Sequence, residues 1–147
     1  MNVLVDTSVW SLALRRKQRD VNSRERRLVE ELSGLIQDGR ARIIGLIRQE
    51  LLSGIKSKEQ FETLRRTLSA FQDEPIGTED YEAAAKASNE CRAKGIGISV
   101  VDILICAVAQ RRGMAIFTTD PGFERYSHEL PLRLYSVPGF RPAAGRR

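Results

Sequence analysis

Four carboxylates carry the chemistry that this sequence offers. Asp6 closes the run Asn2-Val3-Leu4-Val5 and opens Thr7-Ser8-Val9-Trp10. Glu50 lies within Leu46–Gly54, Asp102 stands before the apolar stretch Ile103–Ala109, and Asp120 follows Ala115-Ile116-Phe117-Thr118-Thr119. Two carboxylates about 4 Å apart repel by about 4 kcal/mol at an effective dielectric near 20. A cluster of them therefore needs a proton, a base or a cation. An all-oxygen donor set suits Mg²⁺ or Mn²⁺, and such an ion acidifies water and stabilises charge on a phosphoryl oxygen. Each acid also has a plain structural role. Asp6 can cap a helix, Asp102 completes the box Ser99-Val100-Val101-Asp102, Asp120 belongs to an Asp-Pro-Gly turn, and a glutamate is by default solvated. Whether the four meet at one place decides between these readings.

The elements that must position them follow from patterning. Val3–Val5 reads as a short buried strand, and a helix starts near Ser8, with Val9, Trp10, Ala13 and Leu14 at helical spacing. Asn22 and Glu25 predict a capping pair for a second helix whose stripe is Leu28, Leu32, Leu35 and Ile36. A strand is expected over 41–44, a helix over 46–55, and another behind Ser57 and Gln60 with Phe61, Leu64, Leu68 and Phe71 on one face. Asp73 to Gly77 reads as a loop with a brief edge strand around Ile76, and Thr78 as the cap of an Ala-rich helix that ends near Gly95. A buried helix over 101–112, a strand over 114–118, a short helix over 121–127 and a last strand over 132–137 complete the pattern. Alternating strands and helices imply an α/β fold: a three-layer α/β/α sandwich around a mainly parallel sheet. In such a sheet all strand C-terminal ends share one edge, the edge where ligands bind. Glu50 has Leu46, Ile47, Ser53 and Gly54 three and four residues away, which places it on the apolar or small side of its helix.

Composition bounds the rest. The chain has 147 residues, 41% hydrophobic and 29% charged, a globular balance for one domain over 1–140 with a basic tail over 141–147. The longest apolar run, Ile103–Ala109, is too short to cross a bilayer, and no basic segment followed by an apolar one marks a leader; a cytoplasmic protein is expected. His128 is the only histidine, which argues against Ser-His-Asp or Cys-His catalysis and against a histidine-built zinc site. Cys91 and Cys106 lack metal-type spacing and read as buried thiols in a reducing compartment. No glycine loop for nucleotide phosphates follows a strand. Between residues 15 and 27, seven bases (Arg15, Arg16, Lys17, Arg19, Arg24, Arg26 and Arg27) face two acids, a surplus equal to the whole chain's net +5. This is either a solvated helix face or a surface for a polyanion or an acidic partner.

Taken together, Val3-Leu4-Val5-Asp6-Thr7-Ser8-Val9-Trp10, the Glu50 helix, Asp102-Ile103-Leu104-Ile105-Cys106-Ala107 and Phe117-Thr118-Thr119-Asp120-Pro121-Gly122-Phe123 resemble PIN-domain ribonucleases. They are most similar to the VapC-type toxins of bacterial toxin–antitoxin pairs. No single motif is specific; the four in this order, from Met1 to about Val137, carry the resemblance. It implies a Mg²⁺- or Mn²⁺-dependent endoribonuclease with Asp6, Glu50, Asp102 and Asp120 at the acidic positions. Ser8 and Thr118 match the hydroxyl positions that orient water or a carboxylate. It further implies a homodimer and a cognate VapB-type antitoxin, which nothing in composition or spacing indicates. The basic segment would then hold RNA phosphates around an acidic centre that repels them.

Two other classes compete. A non-catalytic RNA- or protein-binding module of the same fold would not need the complete acidic set. A phosphatase with a nucleophilic aspartate commonly wants a second Asp two positions on, where this chain has Ser8.

Overall fold

β1 (Val3–Val5) is the middle strand of a three-stranded parallel sheet, flanked by β2 (Ala41–Arg42) and β3 (Ala115–Phe117). A computed structural model supplies this arrangement, and it describes residues 1–138 and Phe140; the basic tail over 141–147 lies outside the described residues. All three residues of β1 are fully buried, as expected of a β-branched and aliphatic run covered on both faces.

Between β1 and β2 the chain forms α1 (Thr7–Leu14), a single 3₁₀ turn (Gln18–Asp20) and α2 (Ser23–Gln37). Between β2 and β3 it forms α3 (Gly45–Leu52), α4 (Lys58–Leu68), α5 (Thr78–Ala93) and α6 (Val100–Arg112), and α7 (Gly122–Glu129) follows β3. The first crossover leaves the middle strand for one side, and the second returns past it to the other. Right-handed connections in opposite directions put their helices on opposite faces of the sheet, which yields the three layers. α6 packs against β1 and β3, with α5 behind it, while α2 packs against β2.

Caps appear where the side chains foretell them. Asn22 accepts from the Glu25 N–H and Glu25 returns the bond to the Asn22 N–H, so the box that starts α2 is complete. Ser57 and Ser99 each accept from the residue three along. α6 ends at Gly113, whose φ of 64° is left-handed and favours glycine. From Ile103 to Ala109 every residue of α6 is buried, because the helix is sandwiched between the sheet and α5.

Three expectations are corrected. Residues 132–137 make no strand; single bridges link Leu134 to Ile116 and Val137 to Phe140, since the backbone meets β3 at one point only. The contact beyond β2 falls at Asp73, bridged to Ile43, rather than around Ile76. Gly77, not Thr78, caps α5, and the Asp80 carboxylate accepts the Gly77 N–H. Asp80 also does more than accept that N–H. It is buried and receives bonds from both Arg111 and Arg112 at the far end of α6. The Arg112 guanidinium, helped by the Gly77 N–H and Arg111, holds its carboxyl at about 2 in spite of burial. A buried carboxylate so paired clamps the start of α5 to the end of α6.

Candidate active site

Asp6 is the residue next after β1, and Thr118 the residue next after β3. The strands are in register at Val5 and Phe117, and the Asp6 N–H donates to the Phe117 carbonyl at 2.8 Å. Sheet pairing therefore delivers the two side chains to one spot. The Thr118 hydroxyl donates to Asp6 Oδ2 at 2.7 Å and Ser8 Oγ donates to the same oxygen at 3.1 Å. Asp6 Oδ1 takes the Thr7 N–H at 2.8 Å. Asp6 is at once the cap of α1 and the most enclosed acid of the site, 7% exposed.

The hydroxyls are fixed in turn. Ser8 Oγ accepts from the Thr119 N–H and Thr118 Oγ1 from the Asp120 N–H. Ser8 and Thr118 therefore orient a carboxylate. Asp120 stands exposed at this edge, with its Oδ1 held by the Gly122 N–H at 2.8 Å. Asp102, half-buried in the first turn of α6, receives the Tyr126 hydroxyl at 3.4 Å. Glu50 is solvent-exposed, a correction to the apolar placement expected for it, because the buried face of α3 is made by Ile47 and Leu51; it still receives the Thr7 hydroxyl at 3.3 Å.

Electrostatics place the four acids in one neighbourhood. Burial raises the Asp6 carboxyl above its ordinary value, and the Asp120 charge adds to the rise, against the three bonds it accepts. Burial, then Asp6, then Asp120 push Asp102 up to about 6. Glu50 is raised by partial burial and by Asp6. Tyr126 is pushed up to about 12 by burial and by Asp102 and Asp120. Acids from four segments, successive members 44, 52 and 18 positions apart, thus share one field at the C-terminal edge of the sheet, where the crossovers diverge and α/β proteins bind ligands.

Against this geometry stands the match to known sequences: the PIN domain family profile covers residues 3–129. The chain belongs to the PIN-domain family. Solved structures share this PIN fold over nearly the whole chain. FitAcB from Neisseria gonorrhoeae is 20% identical with a TM-score of 0.72, covering 91% of this chain and 96% of that one. VapBC2 from Rickettsia felis, solved with a DNA fragment from its promoter, is 17% identical with a TM-score of 0.68, covering 92% and 98%. A toxin–antitoxin complex from Klebsiella pneumoniae is 19% identical with a TM-score of 0.60, covering 81% and 87%. At these identities the likeness is one of fold. No curated protein matches the chain by sequence.

PIN-domain nucleases use divalent metals as a class, so the donor set bears a fit test. Asp6, Asp102, Asp120 and Glu50 supply only carboxylate oxygens, and their mutual repulsion favours a cation. Among the described residues, no three His, Cys, Asp or Glu side chains converge tightly enough to enclose an ion. Mg²⁺ keeps several waters and takes one or two protein carboxylates beside substrate phosphates. The residues fit such an ion by charge and donor type, not as a closed cage.

The seven bases expected to form one surface divide in this PIN fold. Arg16 and Arg24 line a cleft of about 440 Å³ that reaches Ser8 and Thr119 beside the acids. Arg16 is also paired with Glu25, and Arg24 lies 5.0 Å over the Phe140 ring. Arg15 and Lys17 line a separate groove with Lys56 and Gln60. Arg19, Arg26 and Arg27 are exposed. Sequence reading overlooked two residues of the site. Thr7 drew no role of its own, yet it donates its N–H to Asp6 and its hydroxyl to Glu50. Tyr126 carried no signal beyond standing one helical turn after Gly122.

Asp102 gives a stability prediction. A rise from the ordinary carboxylate range to about 6 is worth about 3 kcal/mol at most, and solvent reaching this half-buried group lowers that to about 1–2 kcal/mol. The folded chain holds the proton more tightly than the unfolded one, so the penalty is fully present above about pH 6. It fades as pH falls toward the unfolded carboxyl value near 4. Asp102→Asn in EDTA is therefore expected to stabilise the protein at pH 7.5, with the gain vanishing by about pH 4. Denaturant unfolding at the two pH values checks it, and a loss of several kcal/mol at pH 7.5 would show that the carboxylate serves chiefly as a helix-start residue.

Proposed function

We propose that the chain is a metal-dependent endoribonuclease of the VapC type, the toxin of a type II toxin–antitoxin pair, acting from residues 1–140 in the cytoplasm as a homodimer. The observation that carries the reading is the shared field of Asp6, Asp102, Asp120 and Glu50 at the sheet edge of a PIN-domain chain. Asp6, Asp102, Asp120 and Glu50 would hold Mg²⁺ or Mn²⁺. The ion, when bound, polarises a phosphoryl oxygen and acidifies water. The chain's own groups supply the rest. Thr118, Ser8 and the Thr7 N–H fix both oxygens of Asp6, so its charge meets the substrate pre-oriented. Glu50 and Asp120, the two exposed acids, stand where a carboxylate can accept a proton from water. Arg16 and Arg24, in the cleft beside Ser8 and Thr119, lie where flanking RNA phosphates would run. The Klebsiella pneumoniae neighbour is a toxin–antitoxin complex and VapBC-5 from Mycobacterium tuberculosis belongs to the VapBC family of toxin–antitoxin systems, which supports a VapB-type antitoxin as the protein partner.

Incubating purified protein with RNA and Mn²⁺, then with excess EDTA, tests the reading. Cleavage is expected with the metal and none after chelation. Intact RNA in both, with measurable binding, would favour a non-catalytic binding module of the same fold. Salt sets a second expectation: if about five phosphates are engaged, the log–log slope of affinity against salt is near −3.5 for single-stranded RNA. Titration of binding by fluorescence anisotropy between 50 and 200 mM salt measures it, and a flat response removes the basic segment from the RNA path.

A further inference from the structure

Tyr126 is the buried group at this site for which the reading above has no use. It is 5% exposed, its ring meets Phe123 edge-on at 5.3 Å between centroids, and its hydroxyl turns back toward α6, donating to Asp102 Oδ2. Its approach depends on Gly122. A Cβ there would stand 3.2 Å from the Tyr126 oxygen and 3.1 Å from Asp120 Oδ1, closer than ordinary van der Waals contact. Successive turns of α7 therefore bring one hydroxyl and one N–H to two different acids: Tyr126 to Asp102, and Gly122 to Asp120.

We propose that Tyr126 is a positioning residue, holding the Asp102 carboxylate toward Asp6 and Asp120, and that Gly122 leaves room for this clasp, since a Cβ there would press the Tyr126 and Asp120 oxygens back by a few tenths of an ångström. The inference rests on the metal-nuclease reading. A carboxylate with one oxygen tied by a donor keeps the other free and aimed, and partners of this kind around metal ligands are worth about 10- to 100-fold in metal affinity. Phenylalanine keeps the ring packing and removes only the donor.

The test is direct Mn²⁺ titration, by calorimetry, of the full chain and of Tyr126→Phe, Gly122→Ala, Phe123→Leu and Asp102→Asn, beside thermal unfolding of each in EDTA. Tyr126→Phe is expected to weaken Mn²⁺ binding about 10-fold with an unchanged unfolding midpoint. Gly122→Ala is expected to weaken it as well, by displacing the hydroxyl and Asp120 together. Phe123→Leu, which loosens the same helix without touching the donor, should lower the midpoint and leave Mn²⁺ affinity alone. The proposal is overturned if Tyr126→Phe binds Mn²⁺ within twofold of the unmodified chain while Asp102→Asn loses it. Equal loss in Phe123→Leu and Tyr126→Phe also overturns it, because packing alone would then account for both. Absence of saturable Mn²⁺ binding by the unmodified chain overturns the nuclease reading first, and this inference with it.

Discussion

Asp6→Asn is expected to lower Mn²⁺-dependent RNA cleavage by about 10²–10³-fold, the loss typical when one pre-oriented electrostatic partner is removed from a reacting centre. The substitution keeps shape and cap. The side-chain oxygen of asparagine still accepts the Thr7 N–H, and its amide can donate to the hydroxyls of Thr118 and Ser8, each of which has a lone pair to offer. What disappears is the charge. Stability in EDTA should therefore change by no more than about 1 kcal/mol, which separates loss of function from loss of fold. A second readout follows from the same charge. Asp6 is one of the groups that push Asp102 up to about 6 and raise Glu50. Neutralising it removes a repulsion, so both carboxyls should titrate lower in the variant, as carboxyl-carbon NMR would follow. Unchanged cleavage would remove Asp6 from the chemistry and leave it a helix cap.

Trp10→Ala is expected to cost about 3–5 kcal/mol, the range for deleting a fully buried large aromatic, and to lower the unfolding midpoint by about 10 °C. Trp10 is completely buried, stacks edge-on with Phe71 at 4.9 Å, and donates its indole N–H to the Val5 carbonyl at 3.0 Å. That carbonyl belongs to the residue before Asp6. The indole thus braces the end of the strand from which Asp6 projects and ties α1 to the loop behind α4. Trp10→Phe should recover part of the loss, since it restores ring packing but not the donor. Calorimetry of the three proteins checks the ranking. A cost below 1 kcal/mol for the alanine variant would mean that the cavity closes and that α1 is held elsewhere.

Local patterns in the chain determined a good deal. The strand at Val3–Val5, the Asn22–Glu25 box, the buried helix from Ile103 to Ala109 and the glycine that ends it are short-range consequences of side-chain type, and each needs only its near neighbours. The positions of Asp6, Asp102 and Asp120, each at a strand end or a helix start, were visible for the same reason. Register was not visible. Nothing near Asp6 in the chain reveals that Thr118 lies beside it, because that distance is set by pairing β1 with β3 across 112 positions. Exposure of Glu50, the failure of residues 132–137 to form a strand, and the division of the basic segment between two grooves were likewise decided by how helices pack, which spacing along one helix does not encode. The reach of Tyr126 to Asp102 is the clearest case. Twenty-four residues separate them, and only the docking of α7 on α6 turns a core aromatic into a donor at the acidic edge.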